Sequence, residues 1–275
     1  MRKTISLSIL LCLFTLMSVF AGELYQAGTI NALLKGLYQP TITVSQAKVK
    51  TNLGLGCGTG LGELIELDGI FYRANGYGKL TKLNDKDGIP YLTATDFEPQ
   101  ETHTLSSILN YEDLTKTLDS YMKSDNIFYA FKITGSFNSI SARSEDITEP
   151  PYKPLVEWLK DHQHIFKPKN INATLVGFRS PKFINGIGVA GYHIHFISED
   201  KKLGGHVFDV DLNNTKVELQ SIYSMNLILP KTSVYLNKEF LFFQVFETLV
   251  KPSDKSIKQL HFYLLNTIYN SLECV

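Results

Sequence analysis

The chain has 275 residues and carries 27 basic against 27 acidic side chains. That balance leaves no electrostatic footprint for nucleic acid and argues against a purely electrostatic role at a membrane surface. The length suffices for one large domain or two small ones, with a core that needs no staples. Three cysteines are too few for a disulfide framework.

Arg2 and Lys3 make a short positive start, Ile5 to Phe20 is mostly apolar, and Val19-Phe20-Ala21 ends the run. This is the pattern of a secretory signal, short for a span of about 20 residues, and cleavage is expected after Ala21. Residues 1–21 are therefore set aside as a signal peptide. The expected mature chain is exported, periplasmic or secreted, with no membrane span after cleavage. It keeps 25 basic and 27 acidic residues, and of the cysteines it keeps Cys57 and Cys274. Export permits a disulfide between these two without requiring one.

Gly22 to Tyr38 is expected to be helical, with Leu33, Leu34 and Leu37 as an apolar stripe and Pro40 beyond it. The glycine-rich run Leu53 to Gly62 lacks the Walker spacing and its Lys-Ser/Thr, so it is not expected to hold phosphate. Glu63-Leu64-Ile65-Glu66-Leu67 and Ile70-Phe71-Tyr72-Arg73-Ala74 flank Asp68-Gly69, which predicts a hairpin on a type I′ turn. Helix is expected over Ser107 to Lys123, strand over Asn126 to Phe137, and helix again over Leu155 to His162. Strands follow over Ile171 to Phe178, Gly186 to Ile197, His206 to Val210 and Lys216 to Ile222. A last helix is expected from Ser256, with Ile257, Leu260, Leu264 and Ile268 on one face. The class is α+β, rich in strand and mostly antiparallel in its second half, with few helices.

The chemistry gathers in Gly191-Tyr192-His193-Ile194-His195-Phe196-Ile197 and Gly204-Gly205-His206-Val207-Phe208-Asp209. Side chains two apart on a strand share a face, so His193 and His195 project together. A hairpin centred between Asp200 and Lys201 sets His206 opposite His195, although Gly204-Gly205 invites a bulge. Three imidazoles would then converge. Three neutral histidines leave positions open on a zinc ion, as in catalytic sites, and too few cysteines exist for a thiolate-rich structural site. Imidazole equally suits copper, iron and nickel. His103, His162, His164 and His261 are expected at the surface, and His162 and His164 are not expected to converge. A cupin-like barrel also uses a two-apart histidine pair, and Glu199 falls four residues after His195 as in that motif, with the glycine spacings each off by about one residue.

These segments, with Gly177-Phe178-Arg179-Ser180-Pro181 and Asn185-Gly186-Ile187-Gly188-Val189, resemble the metal-binding core of the α-acetolactate decarboxylase family. Gly62-Glu63-Leu64, Asp68 to Tyr72, Phe128-Tyr129-Ala130, Pro151 to Pro154, Met225-Asn226-Leu227 and Leu229-Pro230 match in order, so the resemblance spans roughly residues 25 to 248. Cys57 stands where that family usually has a threonine. The resemblance implies two β-rich halves with mixed or antiparallel sheets and a zinc site between them. Here those are residues 22–150 and residues 151–275, the latter carrying the histidines. It also implies a homodimer that decarboxylates (S)-2-acetolactate to (R)-acetoin and carbon dioxide.

By the same resemblance the metal residues are His193, His195 and His206, the zinc acts as a Lewis acid, and the catalytic residues are Glu63, Arg143 and Glu247. Arg143 offers a planar, permanently charged fork for a carboxylate, and Glu63 supplies the proton that replaces the lost carbon dioxide. The expected partner is a small-molecule substrate, 2-acetolactate, and not a nucleic acid. The open alternatives are another periplasmic zinc enzyme, a hydrolase or cupin-like, and a non-catalytic metal or ligand binder.

Overall fold

The computed structural model describes residues 22–240. The expected signal segment, the C-terminal helix, Glu247, Cys274 and His261 lie outside the described residues. The chain begins with β1 (Gly22–Ala27), α1 (Ile30–Leu34), β2 (Ile42–Thr43) and α2 (Val44–Lys48). It continues through β3 (Leu53–Cys57), β4 (Glu63–Leu67), β5 (Ile70–Ala74), β6 (Leu80–Lys82), β7 (Gly88–Ile89) and β8 (Tyr91–Thr95). Then come β9 (Glu101–Ile108), α3 (Tyr111–Tyr121), β10 (Phe128–Glu145), α4 (Leu155–His162) and β11 (Gln163–Phe166). The last elements are β12 (Lys169–Ser180), β13 (Gly191–Ser198), β14 (Gly204–Ile228) and α5 (Ser233–Leu236).

Twelve strands form one mixed sheet, ordered β11-β10-β12-β13-β14-β1-β8-β3-β4-β5-β6, with β9 added to β14. Strand β14 also pairs with β10, so the ladder β10–β12–β13–β14 closes on itself. Within this sheet β1 and β14 run parallel, and the other pairs are antiparallel. Strands from either side of residue 150 share it, because β10 pairs with β12 and β1 pairs with β14. The α+β architecture with few helices matches the class read from the sequence.

Local chemistry explains several elements. Asp68 and Gly69 have φ of 52° and 72°, the two positive angles of a type I′ turn, and the β4–β5 hairpin closes there. The Asn110 side chain accepts from the Asp113 N–H and caps α3, whose Leu114 and Leu118 pack into the core. In β3, a Cβ on Gly56 would lie 2.1 Å from the Tyr91 carbonyl oxygen. The glycine run is therefore a close strand approach rather than a phosphate cradle.

The expected helix over Gly22 to Tyr38 is corrected: its first six residues are β1, followed by the five-residue α1. Leu24 to Ala27 are buried throughout, wedged between β14 and β8. A strand covered on both faces shows no alternation, and its partners come from far along the chain. The expected strands at residues 206–210 and 216–222 are one strand, β14.

Alternation on β13 sorts two surroundings. Ile194 and Phe196 join a core with Phe131, Leu175, Val207 and the α3 leucines. His193 and His195 face the other way, opposite Phe178 and Val176, which pack with Leu55 and Ile65 of β3 and β4. The histidines thus sit where the β10–β14 ring meets the β3–β4 hairpin.

Candidate metal centre

His195 pairs with His206 across the β13–β14 ladder, the register expected from a turn centred between Asp200 and Lys201. Lys201 takes a φ of 58° in that turn. One ring nitrogen from each of His193, His195 and His206 lies within 4.8 Å of the others. His195 is fully buried, and His193 is 9% exposed.

The tautomer of His195 follows from its partner. Its Nδ1 lies 2.9 Å from the Leu64 carbonyl oxygen, which can accept but not donate. The proton is therefore on Nδ1, and the Nε2 lone pair faces the cluster, 3.1 Å from His193 Nε2. Burial keeps all three rings neutral. It lowers His195 to about 3, against the pull of the Leu64 hydrogen bond, and holds His193 and His206 well below 6.5. Neutral rings with converging lone pairs are the form that binds a metal.

Strand β4 brings in the first carboxyl. Gly60, Leu61 and Gly62 all have positive φ, a tight turn that delivers Glu63 to the strand start. Arg73 holds this turn, donating from Nε to the Leu61 carbonyl and from Nη2 to the Thr59 carbonyl. Glu63 Oε2 lies 3.2 Å from His195 Nε2. Strand β10 brings in the arginine: Arg143 is 6% exposed and stands opposite His206. Its Nη1 donates to Gln163 Oε1 over 2.5 Å.

Glu145 was not among the expected site residues, which had Glu247 as the second carboxylate. Glu145, two residues after Arg143 on the same face of β10, accepts the Gly62 N–H at 2.7 Å and hydrogen-bonds Glu63. Strand parity with Arg143 was the available signal, but Ser144-Glu145-Asp146 reads as a solvated stretch. Burial raises Glu63 well above the usual carboxylate range, the Glu145 charge adds to it, and Arg143 opposes. Burial also raises Glu145, opposed first by the Gly62 hydrogen bond. Two buried carboxyls in contact cannot both ionise cheaply, so the pair retains a proton.

Five predicted site residues are thus brought together: His193, His195, His206, Glu63 and Arg143. Glu247 lies outside the described residues. Cys57, at the end of β3 within electrostatic reach of Glu63 and Glu145, is buried and has no disulfide partner among the described residues. One expectation for the remaining histidines is corrected. His162 and His164 do converge, on the Asp146 carboxylate, at 3.4 and 3.0 Å. The end of α4 and the start of β11 place both rings beside the end of β10.

The three nitrogens could hold a metal ion, beside a carboxyl pair that retains a proton and a buried guanidinium, all set in a mixed sheet. Residues 24–241 match the sequence profile of alpha-acetolactate decarboxylase. The chain is 39% identical over 217 residues to the alpha-acetolactate decarboxylase of Bacillus subtilis strain 168, covering 78% of this chain and 85% of the relative. It is 37% identical over 219 residues to that of Methanosarcina mazei, covering 78% and 75%. The crystal structure of the Bacillus subtilis enzyme superposes with a TM-score of 0.76 at 38% identity, over 79% of this chain and 93% of that one. The chain belongs to the alpha-acetolactate decarboxylase family.

Proposed function

We propose that the protein decarboxylates (S)-2-acetolactate to (R)-acetoin and carbon dioxide with a zinc ion held by His193, His195 and His206. The observation that carries this reading is the convergence of the three histidines with Glu63 and Arg143 in a chain of this family. The donor set suits zinc: three neutral imidazoles, one tautomer locked by Leu64, and no thiolate among them. When bound, the ion supplies a Lewis acid for the ketone and hydroxyl oxygens of the substrate.

The chain's own residues do the rest. Arg143 receives the carboxylate, because a buried guanidinium keeps its charge and offers paired donors. The Val176 and Phe178 side of the sheet keeps the reacting carbon away from bulk water, where charge is better stabilised by fixed groups than by reorganising solvent. Departure of carbon dioxide leaves an electron pair on the carbon that bore it. Glu63 holds the proton that quenches this pair, and delivery from one side sets the handedness of the product. Glu145 takes a hydrogen bond from the Gly62 N–H and so fixes the turn carrying Glu63. Glu247 is kept as a further catalytic carboxylate of this reading, by the family resemblance.

The test is acetoin release from racemic 2-acetolactate by purified, zinc-loaded protein. An inert enzyme with stoichiometric zinc would sink the reading. We further propose an exported homodimer, supported by the signal pattern of residues 1–21 and by the family resemblance. Cleavage after Ala21 is checked by the mass of the secreted chain, and the dimer by light scattering. Among the described residues no helix is long and apolar enough to cross a membrane.

A further inference from the structure

We propose that Gln163 is a positioning residue, whose side-chain carbonyl aims the Arg143 guanidinium at the substrate carboxylate. The inference rests on the reading of Arg143 as the carboxylate receptor. Sheet register supplies the geometry. Gln163 stands opposite Glu145 in the β10–β11 ladder, and Arg143 is two residues before Glu145. All three therefore project from the same face, toward His206, the cross-strand neighbour of Arg143. The Nη1 to Oε1 distance is 2.5 Å, with Arg143 buried and Gln163 partly buried.

The chemistry of the acceptor matters. A buried guanidinium has five N–H groups to satisfy, and two carboxyls, Glu63 and Glu145, lie within electrostatic reach. An ion pair with either would consume the charge that a carboxylate substrate needs. Glu145 is already engaged by the Gly62 N–H and by Glu63. Gln163 offers a neutral carbonyl instead. It fixes the plane of the fork and leaves the full positive charge for the ligand.

Gln163 is itself held from behind. Its neighbours His162 and His164 reach the Asp146 carboxylate at 3.4 and 3.0 Å. The Asp146 N–H donates to the His162 carbonyl at 2.9 Å, and Trp158 Nε1 donates to the Asp146 carbonyl at 3.0 Å. Trp158 stacks on His162, with ring centroids 3.5 Å apart. The segment is clamped through the side chains flanking Gln163, and the β10–β11 register sets the glutamine on the face that carries Glu145 and Arg143.

Steady-state kinetics on racemic 2-acetolactate, with zinc content and thermal unfolding measured alongside, tests this with two variants. Gln163→Met keeps the bulk and removes the acceptor. We expect kcat/KM to fall about 10- to 100-fold, the scale of one hydrogen bond to a charged group. In an Arg143→Ala background the same change should alter kcat/KM less than about 2-fold, since the two residues act as one unit. Equal losses in both backgrounds would overturn the proposal. Gln163→Glu keeps an acceptor and so preserves any merely structural role, but it neutralises the guanidinium. Here we expect KM to rise about 10-fold or more, and a wild-type KM would overturn the proposal even if Gln163→Met fails to fold. An inert wild type would instead count against the decarboxylase reading itself.

Discussion

Glu63 Oε2 lies 3.2 Å from His195 Nε2, so the proton-bearing carboxyl and the most buried histidine of the cluster meet directly. Both positions depend on β4. The strand presents Glu63 from its first residue, and the next residue, Leu64, supplies the carbonyl that locks the His195 tautomer. A shift of β4 would move Glu63 and the His195 ring together.

Glu63→Gln keeps the size and polarity of the side chain and removes its acidic proton. Zinc content should stay at wild-type level while kcat falls about 10²- to 10⁴-fold, the usual worth of a positioned general acid. The residual acetoin should lose handedness, because solvent would then supply the proton. Metal analysis with chiral chromatography checks this, and undiminished stereospecific turnover would remove Glu63 from the mechanism.

His195→Ala deletes the ring whose Nδ1 is held by Leu64 and whose Nε2 faces the other ligands. Zinc and acetoin release should be lost together, since two histidines seldom retain the ion. Metal analysis and the acetoin assay on the same preparation decide it. Stoichiometric zinc with normal activity would show that the cluster is not the metal site.

Glu66 makes stability depend on pH. Its side chain is fully buried, with Thr51 donating to one oxygen at 3.0 Å and the other oxygen unpartnered. Burial raises it from 4.5 to about 8, opposed by the Thr51 hydrogen bond. Below pH 4.5 the carboxyl is protonated in both folded and unfolded chains. Between 4.5 and about 8 the unfolded chain ionises first, so stability is lost as pH rises, by up to roughly 1.4 kcal/mol per unit. Glu66→Gln cannot ionise, so its stability relative to wild type should grow from pH 5 to pH 8. Urea unfolding at the two pH values measures the gap, and parallel curves would contradict it.

Gly177→Ala should destabilise the sheet. A Cβ there would lie 2.1 Å from Cζ of Phe131, a ring that is itself fully buried. Overpacking of this kind costs about 1–3 kcal/mol. The fall in denaturation midpoint should be partly restored by Phe131→Leu, which vacates the space. No loss of stability in the single variant would mean that the ring moves aside freely.

Much of the candidate metal centre was legible along the chain because its histidines come from one hairpin. The parity of His193 and His195 and the short polar turn before His206 placed the three rings on one face with no knowledge of the rest of the fold. Asp68-Gly69 announced its turn in the same way, and α4 runs over the expected Leu155 to His162. These features are local: their geometry depends on residues within a few positions of one another. Strand β1 was not legible, because burial on both faces erased its alternation and its partner β14 lies at the other end of the described chain.

From the chain alone come the three histidines that could hold a metal ion, the hairpin register that joins them and, through resemblance, the family. Tertiary structure alone decided which surroundings those residues would have. Glu145 and Asp146 are adjacent acidic residues at the end of β10, yet one is buried against Glu63 and Gly62 and the other faces two histidines outside. Strand parity sets them on opposite faces, but nothing within a few residues says which face is covered. Burial and partnership are set by long-range strand pairing, and so is the proton that the Glu63–Glu145 pair retains.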